Sequence, residues 1–315
     1  MMETFNQLDI FFDLRKHELF YYSPYCFLRN VPEDIIFHKT VKDVLIEKIR
    51  DNKIEVIPIS IDKRAFLFLI EFLPWDSNYF DIPTYRLHTV LFQSADQTAL
   101  PDAVVEFKNT FFANARKYCF TDIPSEDIFL LQALSGTGFK LIETRMTYYI
   151  DLKKHRNERY SVRKANNDDI PNLRNVASAM RNPFDRFHAD PIFDIKKADE
   201  FLSTFVEESI KGFADYTMVP DESGTPPDAF LTANYLKSVW PVLGIKISKM
   251  VLSAVSSKTR KGWYKKLISE MAYHLQSQGA DFAFMHPAST NKAVIHTYET
   301  LGCKLGQVTH VFSHS

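Results

Sequence analysis

Three cysteines in 315 residues, Cys26, Cys119 and Cys303, are too scattered and odd in number for a disulfide framework. They form no C-x-x-C pair and no metal-ligand spacing, so reduced thiols and no metal are expected. An excess of one charge is also missing: 38 Lys and Arg against 39 Asp and Glu leave a net charge of −1. That balance removes any global electrostatic case for nucleic acid or an anionic membrane as partner. Long apolar runs are absent as well. The most apolar, "AFLFLIEFLPW", is short and carries Glu71, too little to span a bilayer. The first residues, "MMETFNQLDIFF", lack a basic region before a long apolar stretch, so no signal peptide is expected and cytoplasmic is the default location. What is abundant is aromatic: 27 Phe and 14 Tyr suit packed cores and not disorder, in a chain long enough for two domains.

The polar run "DLKKHRNERY", 151–160, reads as a linker between two halves, with domains expected at 1–156 and 157–315. In the first half, periodicity predicts a helix at 40–50, strands at 54–60, 65–73 and 85–93, and a helix after Pro101. A strand at 117–122, a helix at 125–135 and a strand at 139–151 complete it. The second half predicts a strand at 160–165, a helix opened by "NNDDIP", a helix at 194–211 and strands at 214–219, 228–236 and 245–255. Helix 261–278, strand 281–285, helix 291–301 and strand 303–313 follow. Both halves mix strands and helices, an α/β (α+β) pattern.

The stretch "STNKAVIHTYETLGCKLG", Ser289–Gly306, reads as a short helix with N-capping residues at its start and Gly302 past its end. Asn291 and Tyr298 are two turns apart and share a face. "SGTGFKLIETRMTYY" in the first half has a similar ending at Gly138 but no Asn/Tyr pair, which directs attention to the second half.

The order of elements in the second half, with Asn291, Ala293, Tyr298, Leu301 and Gly302, resembles a GNAT-superfamily N-acyltransferase. Cys303 stands where Phe is usual. The resemblance implies a C-terminal GNAT fold with a mixed, splayed sheet, beside a smaller N-terminal α/β domain of partial GNAT-like topology. It implies acyl-CoA (acetyl-CoA or 3-hydroxybutanoyl-CoA) as co-substrate. Tyr298 is then the acid for the departing thiolate. A phenol with a pKa of about 10 is neutral at pH 7 and can protonate a thiolate whose acid has a pKa of about 8.5. Asn291 is expected on the pantetheine arm. Leu252, Ser253, Ala254 and Val255 occupy the strand whose edge pairs with pantetheine and offers N–H groups to the thioester oxygen. The diphosphate falls on Lys258, Thr259, Arg260, Lys261, Gly262, Trp263 and Tyr264, a loop entering a helix. Only Gly262 keeps the family's loop pattern; Tyr264 replaces a usual Gly or Ala, with Lys265 and Lys266 adding positive charge.

On the acceptor side, "NPFDRFHADPIF" (182–193) resembles the corresponding segment of dTDP-amino-sugar N-acyltransferases, as do "LPWDSNYFDIPTYRL" and "FTDIPSEDIFLLQALSGTGFKLIETRMTYYI". The resemblance covers roughly residues 70–315. It implies a nucleotide-sugar substrate, a dTDP-amino-dideoxysugar used in surface polysaccharide (O-antigen, lipopolysaccharide) synthesis, and a possible homodimer. Arg186, Phe187, His188 and Asp190, with Trp75 of the first half as a wall of the cleft, are expected to bind it. His286 is the candidate base. Two alternatives stay open: an aminoacyl-tRNA-dependent tandem-GNAT transferase, and a catalytically silent acyl-CoA-binding protein.

Overall fold

Branched and aromatic residues dominate "IEVIPISI" and "RAFLFLIEF", and these form β1 (Ile54–Ile61) and β2 (Arg64–Phe72). Asp62 and Lys63 between them both have positive φ (46° and 68°), the two-residue type I′ hairpin loop whose twist matches that of its strands. In the computed structural model, which describes residues 2–113, 116–224, 226–259 and 262–315, the chain divides into two compact units. One comprises residues 1–145 and 307–315, the other 146–306.

The first unit opens with helices α1 (Met2–Leu14), α2 (Lys16–Phe20), α3 (Glu33–Phe37) and α4 (Asp43–Arg50). After the hairpin come α5 (Pro74–Phe80), β3 (Thr84–Leu91), α6 (Leu100–Phe111), β4 (Tyr118–Pro124) and α7 (Ile128–Gly136). Next is β5 (Lys140–Asp151), and the last strand of the chain, β11 (Lys304–His314), returns to this unit. The strand order is β1-β2-β3-β4-β11-β5; β1 with β2, β2 with β3 and β4 with β11 are antiparallel, and β3 with β4, which α6 joins as a crossover, is parallel. One core joins Phe66, Phe68 and Leu87 to Phe107 of α6 and Leu134 of α7; Phe68 and Phe107 stack at 4.3 Å. A second joins Phe12, Leu19 and Phe37 to Leu69 and Leu91, so the first 50 residues form a helical cover on the sheet. Arg15, fully buried, is anchored by Asp127 at 2.6 Å, and Tyr22 donates to the same carboxylate at 2.6 Å.

The second unit takes up the chain within β5. It continues with β6 (Val162–Lys164), α8 (Ile170–Ala179), α9 (Arg186–Ala189), α10 (Ile195–Glu208), β7 (Tyr216–Pro220) and β8 (Ala229–Asn234). Then follow α11 (Trp240–Leu243), β9 (Ile247–Val255), α12 (Trp263–Ser277), β10 (Phe282–Met285) and α13 (Lys292–Thr300). The order is β5-β10-β9-β8-β7-β6, with β10 parallel to β9 and the remaining pairs antiparallel. Leu173, Val206 and Phe230 form a core beneath α8 and α10. Trp263, Leu267, Met271 and Tyr298 form another beneath α12 and α13.

The mixed α/β architecture expected from periodicity is present. The linker expected at 151–160 is instead a strap within the second unit. His155 is buried against Ser269 at 3.1 Å, Asn157 exchanges hydrogen bonds with the Tyr273 hydroxyl, and Arg159 binds the buried Glu270 at 3.0 Å. The compact units therefore do not divide at 156/157: the chain changes unit at 145/146, inside β5, and again at 306/307, inside β11. A polar run is not a linker when the opposing helix supplies partners for it.

The repeated endings have one geometry. Gly138 (φ 88°) and Gly302 (φ 80°) follow α7 and α13 in the left-handed region. The next N–H closes a six-residue loop on the helix, Phe139 to Leu134 at 3.0 Å and Cys303 to Tyr298 at 2.9 Å. Among the described residues no helix is long and apolar enough to cross a membrane, and no group of three or more His, Cys, Asp or Glu side chains is placed to hold a metal.

Candidate active site

Parallel pairing of β10 with β9 runs from Phe282↔Ile247 to Phe284↔Lys249 and ends there. The outer half of β9 continues beside β8 alone, so the two strands part beyond Lys249 and Phe284. A bulge marks the same half: β8 and β9 pair at Leu231↔Ser253 and again at Ala233↔Met250, leaving Val251 and Leu252 opposite Thr232. The Thr232 hydroxyl accepts from the Leu252 N–H at 2.9 Å and lies 3.2 Å from the Leu252 carbonyl. Leu252 thus turns its polar backbone to β8. Val251 is exposed and Ser253 half-buried, while Ala254 is buried in the core under α8.

Beyond Val255 the loop is folded on itself before α12 begins. Ser256 N–H bonds the Asp228 carbonyl at 2.9 Å, and the buried Thr259 donates its hydroxyl to the Asp228 carboxylate. Arg260 and Lys261 lie outside the described residues. Gly262 is the N-cap of α12 at φ 76°, and a Cβ there meets nothing within 4 Å. Lys258, Gly262 and Lys265 are exposed, whereas Lys266 pairs with Glu222 at 3.1 Å and lies 4.5 Å over Trp263. Trp263 itself is fully buried, a packing residue and not an exposed ligand contact.

Asn291 caps α13, its side-chain oxygen accepting from the Val294 N–H at 3.3 Å. Tyr298 lies in the last turn, 5 % exposed, and its hydroxyl is 2.8 Å from that of Tyr264 in the first turn of α12. Burial pushes the Tyr264 phenol up to about 12, against the hydrogen bond with Tyr298, which favours ionisation. Burial first, then the adjacent Tyr264, raise Tyr298 well above the ordinary 10. Both phenols are protonated at neutral pH. The partnership of Tyr264 with Tyr298 was not legible beforehand. The sequence signal was a bulky phenol in a glycine position, which reads there only as an obstruction to phosphate.

His286 follows β10 directly, at the end where the strands part, and its Nδ1 is 3.0 Å from the Thr147 hydroxyl. The expected acceptor loop is largely committed to itself. Asp185 caps α9, and the buried His188 side chain lies between Asp185 (2.8 Å) and Asp199 (3.2 Å). Hydrogen bonding to Asp185, outweighing burial, raises the His188 pKa above 6.5, with Asp199 adding to it. Asp190 is 1 % exposed and accepts from the Ile192 N–H at 3.3 Å. Phe187 packs on Phe193 and Phe201, with the Arg186 guanidinium 4.3 Å over its ring. The side chains of His188 and Asp190, expected as sugar contacts, are thus held by hydrogen bonds within this region of the fold. Trp75 belongs to the first unit, stacked on Tyr79 at 5.1 Å and 54 % exposed.

No family model matches the chain, and no curated protein does. Solved structures do match in fold. A GCN5-related N-acetyltransferase from Sphaerobacter thermophilus aligns with a TM-score of 0.55 at 10 % identity, over 85 % of this chain and 84 % of its own. A GNAT-family acetyltransferase from Colwellia psychrerythraea aligns at 0.51 and 13 %, over 83 % and 86 %. A GCN5-related glucosamine N-acetyltransferase region of a fungal multi-domain β-N-acetylglucosaminidase aligns at 0.52 and 14 %, over 80 % of this chain and 31 % of that one. At such identities the likeness is one of architecture, and the fold of this chain is that of the GCN5-related N-acetyltransferases.

Proposed function

We propose that this chain is an acyl-CoA-dependent N-acyltransferase, and that its acceptor is the amine of a dTDP-linked amino-deoxysugar. The observation that carries the general reading is the parting of β9 from β10. It leaves the outer half of β9 with an edge able to take an extended, amide-bearing arm as an added strand. The exposed Lys258, Gly262 and Lys265 at the start of α12 suit an anionic diphosphate at a helix N-terminus. These residues fit acyl-CoA, which supplies a thioester carbonyl activated toward amines. The amino-sugar acceptor rests on the sequence resemblance of residues 182–193 and the two segments of the first half. A homodimer rests on the same resemblance, and the cytoplasm as its location on the three free, scattered cysteines.

Within this reading the residues divide the work. His286, oriented through Thr147, takes the proton that makes the acceptor amine nucleophilic. Main-chain N–H groups of β9 support the developing oxyanion, and Leu252 is excluded from that role because its N–H is bound to Thr232. Tyr298, neutral because it is buried, gives its proton to the departing sulfur. Asn291 acts by capping α13 and so placing Tyr298.

One observation favours a second reading, a non-catalytic acyl-CoA-binding protein: the Tyr298 hydroxyl is enclosed and already paired. Thiol release from acetyl-CoA and 3-hydroxybutanoyl-CoA, measured over a panel of dTDP-amino sugars, separates the two. Amine-dependent release supports the transferase. Acyl-CoA binding without release supports the second reading, and release with simple amines but no dTDP sugar removes the proposed acceptor.

A further inference from the structure

We propose that Tyr264 is a positioning residue for the general acid: its hydroxyl orients that of Tyr298 and stabilises the phenolate left after proton transfer. The inference rests on the acyltransferase reading and concerns a residue that replaces the small one expected in the phosphate loop. Tyr264 opens α12 and Tyr298 closes α13, 34 residues apart, yet their hydroxyls meet at 2.8 Å. The ring centroids are 6.2 Å apart and tilted by 36°, so the meeting point is the pair of oxygens and not the ring faces.

A hydroxyl carries one hydrogen and two acceptor sites, so two adjoining phenols hold one hydrogen between them and leave the other to direct elsewhere. In the resting pair either oxygen can donate. During transfer the C–S bond breaks with its electron pair on sulfur, and sulfur takes the Tyr298 hydrogen. Tyr264 then turns its own hydrogen to the Tyr298 phenolate. The proton released by the amine nitrogen returns the phenolate to phenol, so protons and charge balance over the cycle. In an enclosed site a hydrogen bond to a charged oxygen is stronger than one to a neutral oxygen, so the contact favours the transition state over the ground state. The same contact explains why a large residue is kept where a small one is usual: its polar end has a partner and its ring packs against the α12–α13 core.

The test is a double-mutant cycle of Tyr264→Phe and Tyr298→Phe in the full chain, read by kcat, by KM for acetyl-CoA and by thermal melting. Tyr264→Phe is expected to lower kcat by about 10- to 100-fold with KM within about twofold, and to lower the melting temperature about as much as Tyr298→Phe, since both remove the same hydrogen bond. The two losses are expected not to add, because Tyr264 acts through Tyr298. A purely structural contribution would persist in the Tyr298→Phe background. Full additivity, or wild-type kcat for Tyr264→Phe in a protein that Tyr298→Phe impairs, overturns this inference and leaves the acyltransferase reading standing. A wild-type chain that transfers no acyl group overturns both. All four proteins of the cycle are assayed at a temperature at which circular dichroism shows each of them folded, so that a loss of kcat is read on folded protein.

Discussion

The N–H of Cys303 donates to the carbonyl of Tyr298 at 2.9 Å, so the helix that carries the candidate acid closes immediately after it. Gly302 makes the closure possible by taking a left-handed conformation. Tyr298 is thereby held from both sides, by its own helix end and by Tyr264 across the α12–α13 contact.

Tyr298→Phe is expected to keep the fold, since only a hydroxyl leaves and the ring keeps its packing in the α12–α13 core. The stability loss should be about 1 kcal/mol, while kcat falls by roughly 10²–10⁴-fold with little change in KM. Steady-state kinetics with chemistry rate-limiting, alongside a denaturant melt, check both parts. A wild-type kcat returns Tyr298 to a packing role.

Asn291→Ala removes the cap of α13 and should cost about 1 kcal/mol. Asn291→Ser, which preserves a capping oxygen, should recover most of it. If Asn291 contributes mainly by binding pantetheine, both variants instead lose acyl-CoA affinity by calorimetry and keep wild-type stability.

Gly262 separates backbone strain from occupied space. Gly262→Val is strained at φ 76° wherever the ligand sits, whereas Asn tolerates that conformation. Gly262→Asn should therefore melt close to wild type. Its side chain enters the open space in front of α12, so acyl-CoA should bind more weakly if the diphosphate lies there. Unchanged affinity by calorimetry moves the diphosphate elsewhere.

His188 gives the α9–α10 region a pH dependence. Its pKa in the folded chain is above 6.5 because of Asp185 and Asp199, so its ion pairs contribute fully below pH 6.5. That contribution is lost as the pH rises through the raised value. The gap in melting temperature between wild type and His188→Gln should be wide at pH 6 and narrow at pH 9. A gap independent of pH, measured by scanning fluorimetry, removes the charged histidine from the argument.

A fragment of residues 157–315 should not fold as a unit. It lacks Tyr148–Asp151, which pair with β10, and its last residues, Thr309–His314, lose β4. Circular dichroism and sedimentation of the fragment, against the full chain, test this. A native-like, monomeric fragment shows that the exchanged strands are dispensable.

Much of this architecture was legible because its causes are local. The step from Asn291 to Tyr298, the glycine after each of α7 and α13, and the strand–loop–helix around Gly262 follow from caps, turn conformations and residue periods within one segment. The helical cover of α1–α3 went unread, since short helices held mainly by a sheet give weak periodic signals. The strap at 152–160 looked like a linker because its partners, Ser269, Glu270 and Tyr273, lie more than a hundred residues away. By itself, then, the sequence determined the strands and the longer helices that carry a clear period and the turns that end them, and left α1–α3, α5, α9 and α11 unread. Only the tertiary structure decided that β5 and β11 each change unit midway, that His188 is enclosed by two carboxylates, and that Tyr264 meets Tyr298. Strand pairing and side-chain hydrogen bonds join residues that are neighbours only after packing, and no local pattern specifies which distant partner a strand edge or a phenol will find.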